Sequence, residues 1–419
     1  MCARWLKARM CPEVFSSVQE QKMTEKVYQK ERYMKEMKAE VVSVNGADVV
    51  LDRTIFASDA GGQPCDLGTI NGYRVKNVTE KDGEFIHTLA KADEAAALAP
   101  GDTVELKIDW GRRFDHMQNH LGEHILSGVF KSEYNLDNHG FHLGDDDGTF
   151  DLDTLELTDE MIDHAEDLAN QAVYDALPVE VAFAETREEA EKYPLRKQLT
   201  VDSDILVVTV PGVDCVACCC PHVANTSEIG IIKITGTEKY KQLTRVHFKC
   251  GKRAFLDYRQ KHKDVAALSE RYSADEFTLL SKIEKAEKKQ DKIRKEYNDF
   301  KTGMAEAYAK KLSAGAPAVI TGEIDGADMD LLRITAKKLS EITDAPAVLS
   351  SPDAMSVLLT SAKGSPVNCG KIVKNFAEGG RGGGGDTQAQ VVFKDAGQMR
   401  NFVEKAAAGA RQALAESEN

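Results

Sequence analysis

The sequence lacks any apolar run approaching the ~20 residues that a bilayer-spanning helix needs, which excludes an integral membrane protein of that kind. An excess of positive charge is also missing. With 54 Lys and Arg against 68 Asp and Glu, the net charge is −14, so nucleic acid is not bound through the whole surface, although a local basic patch stays open. Nor are cysteines spread as a disulfide framework. There are nine, an odd number, and several are clustered, which points to a reducing, cytoplasmic compartment with thiols kept for metal or chemistry. What remains, 42% hydrophobic and 29% charged residues over 419 positions, describes a soluble chain too long for one core, hence two to four domains.

The predicted fold class is α+β. Residues 1–22 carry Arg4, Lys7 and Arg9 before the first acid, Glu13, a transit-peptide flavour, and are expected to be a disordered leader. Over 23–110 the pattern is one of short alternating strands, with Asn45-Gly46 and Asn71-Gly72 as hairpin signals, which predicts a small β-barrel. From Arg112 the period lengthens. Phe114, Met117, Leu121, Ile125 and Val129 mark an amphipathic helix opening an α+β domain over 111–255, with a second helix near 158–176. Glycine and proline nearly vanish over 256–313, and apolar spacings of four and three from Leu279 to Ala307 predict one long helix with a coiled-coil seam over 256–315. A separate α/β domain with a glycine-rich loop at 378–390 is expected over 316–419.

Two short stretches hold ligand chemistry. In HMQNHLGEH, His120 and His124 stand one helical turn apart, and His116 one turn earlier, so spacing alone does not choose the pair. In DCVACCCPH, Cys218 and His222 are also four apart. Pro221 argues against a helix there, and an extended strand would turn Cys218, Cys220 and His222 to one side and Cys219 to the other. Spacing therefore leaves Cys218 and Cys220 as alternatives. A set of imidazoles and one thiolate suits Zn²⁺ better than Mg²⁺ or Ca²⁺. HLGEH is also literally H-x-x-E-H, the inverted zinc-peptidase signature with Glu123 as general base, a reading that leaves CCCPH without a role.

Three stretches, AGGQPCDLGTI, HLGEHILSGVF and CCCPHVANTSEIGIIKI, occur in the order and spacing of the freestanding alanyl-tRNA editing proteins. The chain resembles the long AlaX type of that family, which is similar to the editing and C-terminal domains of alanyl-tRNA synthetase. NHGFHLGDDDGTFDLD, YPLRKQL, RVHFKCGKRAF and GGRGGGGDTQAQ extend the likeness over about residues 23 to 419.

The resemblance implies zinc ligands at His120, His124, Cys218 and His222, and so decides for Cys218. It implies hydrolysis of the ester joining a wrong amino acid, chiefly serine and sometimes glycine, to alanine tRNA. Gln63, in Gly61-Gly62-Gln63-Pro64, matches the loop of the aminoacyl pocket, where its amide would hydrogen-bond a serine hydroxyl or the terminal ribose. Leu121 departs from the Ser or Thr usual after the first ligand histidine, and Cys219, Cys220 and Pro221 replace Gly-Gly-Thr. Lys371, Lys374 and Arg381, near the glycine run, are candidates for tRNA contact, while the helical seam or the C-terminal domain would equally join two copies into a homodimer. A non-catalytic tRNA-binding protein with structural zinc is the further alternative.

Overall fold

The computed structural model describes residues 23–417, and the leader expected at 1–22 lies outside the described residues. Two compact units divide between Val265 and Ala266.

The first unit opens with a closed barrel. Its strands are β1 (Glu36–Asn45), β2 (Asp48–Leu51), β3 (Gly68–Ile70), β4 (Tyr73–Lys81), β5 (Glu84–Leu89) and β6 (Thr103–Ile108). They are joined in the order β1-β2-β5-β4-β3-β6. Alternation makes the core: along β6 every second residue is buried, and Val49, Leu51, Phe56, Ile70, Val75, Phe85 and Leu106 fill the interior. Asn71 and Gly72 form the two-residue turn between β3 and β4, both at positive φ, 51° and 82°. That is the primed turn matching the strands' own twist.

Helix α1 (Trp110–Tyr134) follows, started by the Asp109 side chain accepting from the Arg112 N–H and ended by Asn135 in the left-handed region. Every residue from His116 to Phe130 is buried, so this helix runs through the middle of its domain. One side packs Met117, Leu121, Ile125 and Val129 among Phe150, Ile232, Val246 and Phe248. Gly122 permits that approach, since a Cβ there would lie 2.2 Å from Cys250 Sγ.

Around α1 lie β7 (Asn138–Leu143), β8 (Gly148–Leu152), α2 (Asp159–Tyr174), β9 (Glu180–Thr186), β10 (Ser203–Val210), β11 (Asp214–Ala217), β12 (Ile232–Tyr240) and β13 (Leu243–Cys250). They form one sheet of order β12-β13-β8-β7 and another of order β9-β10-β11. Arg113 fastens the helix to the barrel. Its guanidinium is fully buried, and Nε donates to both Asp66 oxygens at 2.9 Å while Nη2 donates to the Ile55 carbonyl at 2.6 Å.

The single helix expected over 256–315 is two helices, α3 (Gly251–Tyr272) and α4 (Leu279–Ser313). Ser273 has φ of 49°, and Asp275 Oδ1 accepts from the Phe277 and Thr278 N–H groups at 3.0 and 2.8 Å. This side-chain turn competes with the helical ladder and starts the second helix afresh.

In the second unit the sheet order is β14-β15-β16-β18-β17, from β14 (Ile320–Glu323), β15 (Ala347–Ser351), β16 (Ser356–Thr360), β17 (Arg381–Gly384) and β18 (Gln388–Val392). Helix α5 (Met329–Ser340) precedes β15, α6 (Cys369–Phe376) follows β16, and α7 (Ala396–Ser417) closes the described chain. Neighbouring residues of β15 face opposite layers. Val348 joins a cluster with Phe402 and Val373, Leu349 one with Leu332 and Ala309, which is why the strand reads as unbroken apolar sequence. On α4, Ala305 and Ala309 are buried, whereas Ile293, Tyr297 and Phe300 are exposed and Ala307 faces outward.

The glycine run is not simply a loop. Arg381–Gly384 pairs with β18 as an edge strand. Side chains would not fit at two of its positions: a Cβ would meet the Gln390 carbonyl at 2.0 Å from Gly382 and the Gln388 carbonyl at 2.3 Å from Gly384.

Candidate metal centre

His120 and His124 project from one face of α1, while Cys218 and His222 lie just past β11, on a segment that Pro221 keeps out of helix. One ligand atom from each of these four residues lies within 4.8 Å of all the others. His222 Nε2 is 3.3 Å from Cys218 Sγ, which is 3.7 Å from His120 Nε2. His116 is outside the group. Burial, with Arg112, Arg253 and Arg113 nearby, pushes its imidazole down to about 3.

The three consecutive cysteines are sorted by their surroundings. Cys220 is not in the group of four, although its thiol reaches Cys218. The segment after Ala217 is irregular, and the Cys220 thiol lies 3.3 Å from the Ala60 carbonyl, to which it donates. Cys219 is exposed. Cys218 is held well below the ordinary thiol range, first by hydrogen bonding from Cys220 and then, against burial, by the His120 and His222 imidazoles. The one Cys220 hydrogen serves either Cys218 or Ala60 at a time, and its own thiol is pushed up by those sulfur contacts and by burial.

Outer partners orient the ligands. His120 Nδ1 is 2.8 Å from Gln63 Oε1. An amide oxygen only accepts, so Nδ1 carries the proton and Nε2 keeps its lone pair toward Cys218. Gln63 is thus nearly buried and spent on His120, with its Nε2 enclosed and unpartnered, instead of opening toward a serine hydroxyl or ribose. Gly62 brings the loop in. At φ 82° its Cβ would stand 2.1 Å from the Phe141 carbonyl, and its own carbonyl accepts from Leu143 N at 2.8 Å.

On the opposite side, Asp214 Oδ2 lies 3.5 Å from His124 Nδ1, long for a hydrogen bond but close enough for the charge to act. Asp214 is itself gripped by Arg196, Nε to Oδ1 at 2.6 Å. Burial pushes His124 down, but Cys218, Glu123 and Asp214 together raise it above the ordinary imidazole value. His222, with no such carboxylate, is driven down to about 4, chiefly by burial.

A cavity of about 300 Å³ adjoins the group, walled by Gly61, Glu123, Asn138, Phe141, Lys197 and Val216 together with three of the four candidate ligands, His120, His124 and Cys218. Glu123 is not a ligand. Its Oε1 accepts from Ser127 Oγ and Asn138 Nδ2, both at 2.5 Å. Burial would raise its pKa, yet His124, Arg196, His120 and the Ser127 hydrogen bond bring it below the usual carboxyl range. Leu121 does not face this cavity. It is fully buried in the hydrophobic core, so it bears on packing and not on contact with an amino-acid side chain. Asp214, Arg196, Ser127 and Asn138 escape sequence reasoning. Asp214 opens DCVACCCPH and Arg196 sits inside YPLRKQL, but one polar letter carries no direction.

Three family models match along the chain: tRNA synthetases class II (A) at residues 6–112, the threonyl and alanyl tRNA synthetase second additional domain at 205–247, and the DHHA1 domain at 316–411. The alanyl-tRNA editing protein AlaX-L of Pyrococcus horikoshii is 31% identical over 388 residues, covering 88% of this chain and 94% of that protein. The chain belongs to the alanyl-tRNA editing protein family. Another member, the alanyl-tRNA editing protein Aarsd1 of Mus musculus, is 35% identical over 235 residues, 55% of each chain. The alanine–tRNA ligase of Ignicoccus hospitalis is 27% identical over 418 residues, 96% of this chain but 45% of that one. Likeness to the crystal structure of RecJ in complex with Mg²⁺ from Thermus thermophilus has a TM-score of 0.25 at 18% identity, over 33% of this chain and 21% of that chain, too low to indicate a shared fold. In this editing protein Cys218 and His222 fall inside the second-additional-domain match, and His120 and His124 lie upstream of it.

Proposed function

We propose that the chain is a trans-acting hydrolase that deacylates mischarged alanine tRNA, chiefly the seryl and also the glycyl ester, at a Zn²⁺ held by His120, His124, Cys218 and His222. The observation that carries this reading is the convergence of those four donors within 4.8 Å beside a cavity. Three imidazoles and a thiolate form a borderline-soft set that favours zinc over magnesium or calcium. The His120 tautomer held by Gln63 and the lowered pKa of Cys218 both fit that ion. Homology supports the substrate, since the relatives spanning most or half of the chain are alanyl-tRNA editing proteins by name.

When bound, the ion would supply a positive charge that anchors the substrate end and polarises the ester or a water molecule. The protein's own groups do the rest. Gln63 positions His120 through a hydrogen bond, and the Asp214 charge stands beside His124. Lys197, which makes no ion pair among the described residues, supplies a cation at the cavity for RNA phosphate. An aminoacyl ester is already activated, so holding it in place suffices without a nucleophilic side chain. Lys371, Lys374 and Arg381, all exposed, are assigned to the body of the tRNA. Ile293, Tyr297 and Phe300 on α4 would join two copies. The seven described cysteines are free, consistent with a cytoplasmic protein.

Alanine tRNA charged with serine, glycine or alanine, incubated with the protein with and without chelator, tests the reading. Chelator-sensitive release of serine with the alanyl ester spared is expected. Persistence of all three esters rejects it.

A further inference from the structure

A carboxylate on the cavity wall makes no direct ion pair among the described residues. It belongs to Glu123, which is 4% exposed. The nearby candidate, Arg196, is bound by Asp214 through Nε at 2.6 Å and Nη2 at 3.3 Å. His124 likewise has its ion-pair contact with Asp214. His124, Arg196 and His120 favour the Glu123 charge only from a distance, so a contact ion pair stays open to a cationic group that enters the cavity.

The hydrogen bonds say which atom is available. Ser127 Oγ and Asn138 Nδ2 both donate to Oε1, and a third bond, Asn138 Nδ2 to Ser127 Oγ at 2.9 Å, ties the two donors together. Asn138 Oδ1 in turn accepts from the Gly140 N–H at 2.8 Å, which fixes the amide's orientation. Oε1 is therefore saturated and the carboxylate is held rigidly. Among the described residues no hydrogen bond reaches Oε2, on a residue that lines the cavity. On one side of Glu123 in the chain is a candidate ligand, His124, and one turn back along the same helix is His120.

We propose that Glu123 Oε2 receives the α-amino group of the esterified amino acid, a deepening that rests on the deacylase reading above. Every aminoacyl ester carries that group next to the scissile carbonyl, and it is the one cationic feature of an otherwise anionic substrate. One carboxylate, Glu123, and two cations, Arg196 and Lys197, line the same cavity; Arg196 is taken by Asp214, so Lys197 is the cation left for phosphate and Glu123 the anion left for the ammonium. Glu123 thereby distinguishes an aminoacyl ester from any other ester that fits the cavity, and serves as an anchor in place of the general base of the peptidase signature.

The test compares serine-charged alanine tRNA with the same tRNA after N-acetylation of the serine, using the zinc-loaded full chain and its Glu123→Gln variant. Glutamine keeps the acceptor for Ser127 and Asn138 while removing the charge. The parent is expected to hydrolyse the free-amine ester at least tenfold better in kcat/KM, mainly through KM. Glu123→Gln is expected to lose most of that preference and to bind zinc as the parent does. Two results overturn the proposal: a parent indifferent to acetylation, or a variant slowed equally on both esters, as loss of a general base would require. The parent comparison decides even if the variant does not fold. Failure of the parent on both esters refutes the deacylase reading itself.

Discussion

Gln63 Oε1 and His120 Nδ1 face each other at 2.8 Å across 57 residues of sequence, and this contact joins the glycine loop that follows the first barrel strands to the helix bearing two of the four ligands. It makes Gln63 a positioning residue for the metal. Gln63→Ala is expected to weaken zinc affinity by roughly 10–100-fold. Competition against a chelating dye measures this, and equal affinity in variant and parent would contradict the assignment.

The sorting of the cysteines predicts a contrast. Cys218→Ala removes a donor and is expected to abolish stoichiometric zinc and serine release together. Cys220→Ala removes a thiol turned to the Ala60 carbonyl and is expected to retain the metal. Metal analysis of both purified variants decides, and full zinc retention by Cys218→Ala would instead favour the peptidase signature.

Arg113 and Asp66 are exposed by 0% and 1% at their side chains. Arg113→Ala removes the donor to Asp66 Oδ1 and the Ile55 carbonyl, leaving the buried Asp66 with only the Ala57 N–H on Oδ2, and the expected cost is about 3–5 kcal/mol. Arg113→Met, Asp66→Leu and the double replacement form a cycle, in which the double is expected to cost clearly less than the sum of the two single changes. Denaturant unfolding of the three variants supplies the cycle, and additive losses would show that the pair does not act as a unit.

His87 sits in the barrel core between Thr54 Oγ1 at 2.8 Å and the Val49 carbonyl at 3.2 Å, and burial lowers it from 6.5 to about 4. Below pH 6.5 the unfolded chain takes up a proton that the folded chain refuses. This contribution is therefore complete above that pH and declines as pH falls toward 4, by about 3 kcal/mol in all at roughly 1.4 kcal/mol per unit. A His87→Gln variant is expected to lose less stability over that window than the parent. An imidazole that titrates near 6.5 in the folded protein by NMR would disprove the shift.

Local pattern carried much of this molecule. Strand alternation in β6, the Asn71-Gly72 turn and the apolar stripe of α1 are short-range facts, because side-chain period and φ preference are set by a few neighbouring residues. The break at Ser273 was not legible, since a heptad pattern continues across a turn that one aspartate side chain stabilises. The glycine run was likewise opaque. Read alone it has no strand propensity, and only pairing with Gln388–Val392 makes the missing side chain a requirement at Gly382 and Gly384.

By itself the amino-acid order determined that two i,i+4 pairs of metal-binding side chains exist, that one lies on a helix, and that strands and helices alternate around them. Resemblance of the motifs implied His120, His124, Cys218 and His222 as a set, but that these four converge, that Leu121 turns into the core, and that Gln63, Asp214 and Arg196 stand behind the ligands were decided by the tertiary structure. The reason is physical. Periodicity reports which side of its own element a residue occupies, whereas a site forms where sides of different elements converge, through packing between segments about a hundred residues apart.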